Sequence, residues 1–192
     1  MSAASEGRTM THPEAGREET RMLARRVAEA ALLEGDFVLS SGRRSDVYVD
    51  KYLFSTEPEL LKEISSALVE LLPEGVDRLA GVELGAVPLV VGASLASGKP
   101  YVIARKGAKD YGTARQVEGR FESGDRVALL EDVVTTGTQA VAAAERLVSE
   151  GMEVVGIYAV LDRREDRSPQ RLGGFPFATL LTMDELRVGK GI

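Results

Sequence analysis

The chain has 192 residues, of which 44% are hydrophobic and 28% charged, proportions that suit one globular domain and leave little room for a second. It has no cysteine, and its one histidine, His12, lies in a polar N-terminal stretch; disulfides, thiolate catalysis, zinc–cysteine sites and Ser-His-Asp chemistry are thereby excluded. The net charge of −6 argues against a protein that coats nucleic acid, no apolar run reaches the roughly 18 residues of a membrane span, and no secretory signal is visible, so a cytoplasmic protein is expected.

Residues 1–18 are rich in Ser, Glu, Arg, Thr and Gly and read as a disordered leader before a single domain over 19–192. Thr20 opens a helical pattern that carries Leu23, Val27, Ala30 and Ala31 on one face and stops at Gly35. Phe37-Val38-Leu39 and Val47-Tyr48-Val49 are short extended segments on either side of Ser40–Ser45, a hairpin or hood. Thr56-Glu57-Pro58-Glu59 predicts a capping box, followed at helical spacing by Leu60, Leu61, Ile64, Leu68 and Leu71, with Pro73 as the stop.

From there the pattern alternates. Strands are predicted at 79–82, 101–104, 126–130, 154–161 and 177–181, and helices at 88–96 and 139–149. Continuous apolar strands alternating with helices mean an α/β domain whose central parallel sheet is covered on both faces. The stretch 106–124 has no apolar periodicity, and loops of that length inside a domain are usually functional lids or disordered.

The strongest chemical signal begins at Val127. Four apolar residues run into Glu131-Asp132, then Val133-Val134, then Thr135-Thr136-Gly137-Thr138 and a helix from Gln139. In open parallel sheets ligands sit at the carboxyl ends of the strands, where this segment places its polar groups. The Thr/Gly turn aims N–H groups and hydroxyls at a helix start, a geometry that favours phosphate. Ionised Glu131 and Asp132 are acceptors only, so their partners would be a sugar diol or a metal ion. Phosphate cradle and diol acceptor together point to ribose 5-phosphate. The bland alternative is a capped turn with solvated acids.

This segment resembles the signature of the type I phosphoribosyltransferases. Ala104 to Thr113, with Arg105, Lys106 and Lys109 bracketed by Gly107 and Gly112, resembles more narrowly the mobile catalytic loop of the orotate phosphoribosyltransferases. Clustered cations neutralise a departing pyrophosphate, and glycine hinges let it out; a solvated basic loop is the alternative. Leu39–Asp50 resembles the family's N-terminal segment over the orotate pocket, and Gly81–Pro88 its pyrophosphate loop. Arg163 matches the arginine that meets the orotate carboxylate, a natural pairing for a planar guanidinium. Many bacterial members have lysine at the positions of Ser40 and Gly85 and histidine at that of Tyr111, so the chain leans toward the shorter archaeal-type members.

The resemblance implies the type I phosphoribosyltransferase fold with a small hood built from N-terminal and C-terminal segments. It implies transfer of ribose 5-phosphate from 5-phosphoribosyl 1-pyrophosphate (PRPP) to orotate, giving orotidine 5′-monophosphate. Lys109, Asp132 and Glu131 would be catalytic. Arg105, Lys106, Lys109, Tyr111, Glu131, Asp132, Val133, Val134, Thr135, Thr136, Gly137, Thr138 and Gln139 would bind PRPP, and Thr135 and Arg163 orotate. Mg²⁺ would ride on pyrophosphate and ribose oxygens with few or no direct protein ligands. A homodimer is implied, with the 106–124 loop of one subunit closing over its partner's site. Two alternatives remain open on the residues: a purine phosphoribosyltransferase, which would not need Arg163, and a PRPP-sensing regulator, which would want a basic face. Gly92–Lys99 is not a phosphate-binding P-loop, since its glycine spacing is wrong and Lys99 precedes Pro100.

Overall fold

The computed structural model describes residues 13–38, 42, 44–107, 116–167 and 170–192. Its first element is α1 (Pro13–Ala31), which buries Leu23, Ala24, Val27, Ala28 and Ala31 at three- and four-residue spacing. The helix begins at Pro13, well before Thr20, so residues 13–18 form its first turns and do not belong to a leader. Proline costs nothing at a first helical position, where its missing N–H would have had no partner. The helix also ends at Ala31, short of Gly35, because Leu32 already belongs to a strand. That strand, β1 (Leu32–Val38), pairs antiparallel with β2 (Arg44–Val49) in the expected hairpin; Leu39, Ser40, Ser41 and Arg43 at its tip lie outside the described residues.

A short helix that the sequence pattern did not announce follows, α2 (Lys51–Ser55). Asp50 caps it by accepting the Tyr52 N–H at 3.0 Å, and donates its own N–H to the Ala31 carbonyl at 2.9 Å. Thr56 closes this helix instead of opening the next one: its hydroxyl donates to the Tyr52 carbonyl at 2.5 Å. Capping of α3 (Pro58–Glu70) therefore falls to Glu57, whose carboxylate accepts the N–H groups of Glu59 and Leu60.

The remaining elements are β3 (Arg78–Val82), α4 (Val87–Ser97), β4 (Tyr101–Ala104), β5 (Val117–Glu118), β6 (Arg126–Val134), α5 (Thr138–Ser149), β7 (Glu153–Asp162), β8 (Arg171–Leu172), β9 (Phe175–Thr182) and α6 (Met183–Lys190). Among the described residues the strands from β3 onward form one sheet in the order β5-β4-β3-β6-β7-β9-β8. The body from β4 to β9 is parallel, while the two-residue edges β5 and β8 are antiparallel. β5 lies inside the stretch expected to be featureless, with Val117 buried and paired to Ala104. β6 runs past Leu130 to Val134, because β7 stays paired with it as far as Asp162.

Alternation along the strands divides the core. Leu79, Leu130 and Val160 face α1, α3 and α4, whereas Ala80, Leu129 and Ala159 face α5. α1 and α6 pack together beside the hairpin. Gly189 of α6 packs on the backbone of Ala24 and Arg25, and Arg187 pairs with Asp46 of β2 at 3.1 Å. Among the described residues no helix is long and apolar enough to cross a membrane.

Candidate active site

After β3 the chain turns outward to β4, then returns to place β6 on the other side of β3. Such a reversal opens a crevice at the carboxyl ends of the strands. Here the crevice floor is unusually close. A Cβ on Gly85, in the turn after β3, would stand 1.5 Å from Asp132 Oδ2 at the end of β6. Only a residue without a side chain lets the two strand ends approach in this way.

Glu131 and Asp132 lie within β6 and are both buried, 7% and 2% exposed. Their surroundings differ. Burial first, and the charge of Asp132 second, push the Glu131 carboxyl up to about 8, so at neutral pH it is mostly protonated. Asp132 meets a cation that the motif reading missed: Lys51, the first residue of α2, places Nζ 2.7 Å from Asp132 Oδ2. Burial works against the Lys51 charge, but the hydrogen bond and charge of Asp132 outweigh it and raise the ammonium above the ordinary lysine value. Asp132 Oδ1 accepts the Val133 N–H at 2.6 Å, which fixes the carboxylate's orientation.

Beyond the acids, Thr135 and Thr136 are exposed and Gly137 is the N-cap of α5 at φ 81°. A Cβ there would meet Leu172 at 2.9 Å, a second reason for glycine. Gly137 offers no side-chain cap to the first turn; Thr136 Oγ1 reaches the Thr138 N–H at 3.3 Å and shares a 3.0 Å hydrogen bond with the Thr138 hydroxyl. The turn thus presents hydroxyls and helix-start N–H groups outward, the arrangement that suits an anion.

The basic residues divide between the two flanks of β6. On the β4 flank, Arg105 lies 3.4 Å from Glu118 and 3.8 Å from Glu83, and the Lys106 N–H donates to Glu83 at 2.8 Å. Arg146 of α5 donates to the carbonyls of Arg105 and Lys106 at 2.7 and 3.2 Å, anchoring the root of the loop. On the β7 flank, Arg163 and Arg164 have different fates. Arg164 forks onto buried Asp162, with Nη2 2.9 Å from Oδ2, and stacks on the Phe177 ring at 4.6 Å. Arg163 is half-buried near Tyr48 and, among the described residues, meets no carboxylate. Burial lowers its pKa, against the opposing influence of Tyr48, as expected of a guanidinium short of an anion.

Lys51, Glu83, Lys106, Glu131, Asp132, Val133, Val134, Thr135, Thr136, Gly137, Gln139 and Ala140 line one cavity of about 120 Å³. Of the residues expected at the site, Thr138, Arg105 and Arg163 stand outside this cavity, and Lys109 and Tyr111 lie outside the described residues. A larger cavity, about 880 Å³, lies between α1 and α6 and shares no residue with the ends of β3, β4, β6 or β7. Size therefore does not mark the site; convergence of polar groups does. Among the described residues no three carboxylates or histidines converge as a metal cage.

The description "phosphoribosyl transferase domain" matches residues 56–175. The orotate phosphoribosyltransferase of Methanocella arvoryzae is 47% identical over 131 residues, 68% of this chain and 75% of that one. The crystal structure of orotate phosphoribosyltransferase from Aeropyrum pernix is similar with a TM-score of 0.78 at 32% identity, covering 88% of this chain and 98% of that one. That of the Mycobacterium tuberculosis orotate phosphoribosyltransferase in complex with 5-phospho-α-D-ribosyl 1-diphosphate gives 0.73 at 27% identity, with the same coverage.

Proposed function

The chain belongs to the phosphoribosyl transferase family, and from that premise we propose that it is an orotate phosphoribosyltransferase, forming orotidine 5′-monophosphate and pyrophosphate from orotate and PRPP in pyrimidine biosynthesis. One observation carries the choice of base: Arg163, half-buried and without a carboxylate among the described residues, stands across β6 from Lys106. A purine offers that guanidinium no carboxylate; orotate does.

In this reading the Thr135–Gln139 turn holds the 5-phosphate, with Asp132 and neutral Glu131 at the ribose hydroxyls. Protonated Glu131 can donate a hydrogen bond as well as accept one, which suits a diol better than two anions would. The C1′–oxygen bond breaks with its electron pair leaving on pyrophosphate, toward Lys106 and the basic loop. A ring nitrogen of orotate closes on C1′ from the Arg163 flank as its N–H proton passes to the departing pyrophosphate, so configuration inverts. Asp132 stabilises the positive charge that develops on the sugar in between. The donor set suits Mg²⁺ carried on substrate oxygens, since the cavity acids do not form a cage and one of them already holds Lys51. When bound, the ion supplies positive charge to the leaving group.

A homodimer and a cytoplasmic setting complete the proposal. Tyr52, Leu53 and Leu84, neighbours in sequence of Lys51 and Gly85, are exposed, apolar surface of the kind a second subunit covers. If the 106–124 loop serves the partner's site, Lys109→Ala and Asp132→Asn homodimers should each be nearly inactive. After subunit exchange, half the dimers would be mixed with one intact site each, so activity should return to about a quarter of wild type. A mixture that exchanges but stays inactive would put the loop over its own site. The function itself is tested by turnover with orotate against adenine, hypoxanthine, guanine and xanthine. Product from a purine alone would overturn it.

A further inference from the structure

We propose that Lys51 is a substrate-binding residue for the pyrophosphate of PRPP, its ammonium shared between Asp132 and the substrate's phosphate oxygens. The inference rests on the reading of the cavity as the PRPP site and names a cation of that site which the basic loop does not contain.

Three observations carry it. First, the pair is open on one side only. Asp132 is 2% exposed, while the Lys51 side chain keeps a third of its surface exposed, and both line the same cavity as Lys106 and Thr135–Gly137. An ammonium has three N–H donors, and the ion pair with Asp132 Oδ2 at 2.7 Å cannot engage them all. Second, the ammonium sits on the leaving-group flank. It lies 2.9 Å from where a Gly85 Cβ would be, in the turn after β3, on the far side of β6 from Arg163. Third, helix stability does not explain the residue. A lysine in the first turn opposes the helix dipole, yet α2 is anchored at both ends, by the Asp50 cap and by fully buried Phe54. A short element fixed at both ends therefore holds the cation at the cavity wall. Without that cation the Asp132 carboxylate would face the incoming polyanion unscreened.

Lys51→Gln keeps a hydrogen-bond donor for Asp132 and removes the charge. It should raise the KM for PRPP and the Kd for magnesium pyrophosphate roughly tenfold or more, the loss of a charged hydrogen bond, while the KM for orotate and the Kd for ribose 5-phosphate stay within about twofold. Lys51→Arg should recover most of the loss. Unchanged pyrophosphate affinity in folded Lys51→Gln, or an equal fall in ribose 5-phosphate affinity, would overturn the assignment. The wild-type protein provides a test independent of any variant's folding. Magnesium pyrophosphate should slow reductive methylation of Lys51, read by mass spectrometry, and ribose 5-phosphate should not. Labelling indifferent to pyrophosphate sinks the proposal. Protection of Lys51 in a protein that makes no orotidine 5′-monophosphate would instead remove the functional reading and leave this assignment standing.

Discussion

The two flanks of the acidic strand end offer an anion different groups. At the β6–α5 turn the donors are hydroxyls and helix-start N–H groups, and the Gly137 cap supplies no side chain to occupy them. On the β3–β4 flank two cations already have carboxylate partners: Lys51 with Asp132, Arg105 with Glu83 and Glu118. The contrast matches what each flank is proposed to hold. A 5-phosphate stays put throughout the reaction, so preset amides can hold it without reorganising. A pyrophosphate must arrive and leave, and its cations need an internal carboxylate to return to; otherwise each departure would strand a partly buried charge.

The sharpest way to break this contrast is to remove the group on which both flanks converge. Asp132→Asn preserves shape but takes away the charge that holds Lys51 and is proposed to face C1′. Turnover should fall by about 10²–10³, with a smaller change in the KM for PRPP, as expected for an interaction made mainly in the transition state. Steady-state kinetics with orotate would measure it. Near-normal turnover would reduce the acidic pair to a cap and dissolve the comparison.

The adjacent arginines give a second, smaller test. Arg163→Ala should raise the KM for orotate about ten- to a hundredfold and leave that for PRPP nearly unchanged, because only orotate brings the carboxylate. Arg164→Ala should do the reverse of a binding mutation. It leaves Asp162 buried without its fork, so stability should drop by on the order of 3 kcal/mol while the KM values hold. Thermal unfolding and kinetics on the two variants separate the roles; identical behaviour would refute the assignment of either.

The sequence carried the parallel body of the sheet and the β6 motif because both are local: apolar runs announce strands, and a Thr/Gly turn after paired acids announces a phosphate site. It missed what depends on packing between distant segments. Lys51 and Asp132 lie far apart in the chain, and only the missing Cβ of Gly85 lets them meet. One signal was available. A lysine directly after Asp50, at the start of a helix whose dipole disfavours it, is a local violation of the kind that marks function. Thr56 misled for a related reason, since its capping motif read equally well as the end of α2, and nothing in its own sequence announced α2. The ionisation of Glu131 was equally out of reach, because composition cannot say how deeply β6 buries its end.

That ionisation gives an effect read as a slope. The Glu131 carboxyl is raised in the folded protein to about 8 from an ordinary value of 4.5, by burial and then by Asp132. Between these values the folded protein holds a proton that the unfolded chain has released, so Glu131's contribution to stability is full below the lower value and is lost as pH rises toward the upper one. The loss is at most about 1.4 kcal/mol per pH unit, the limit for one proton. Glutamine has no proton to release. Glu131→Gln should therefore show a flatter unfolding free energy than wild type between roughly pH 5 and 8, measured by urea denaturation at a series of pH values. Parallel curves would mean that Glu131 is ionised in the folded protein. The acid pair would then be a dianion, Lys51 would be its counter-ion first, and the β3–β4 flank would have less positive charge to offer a leaving group.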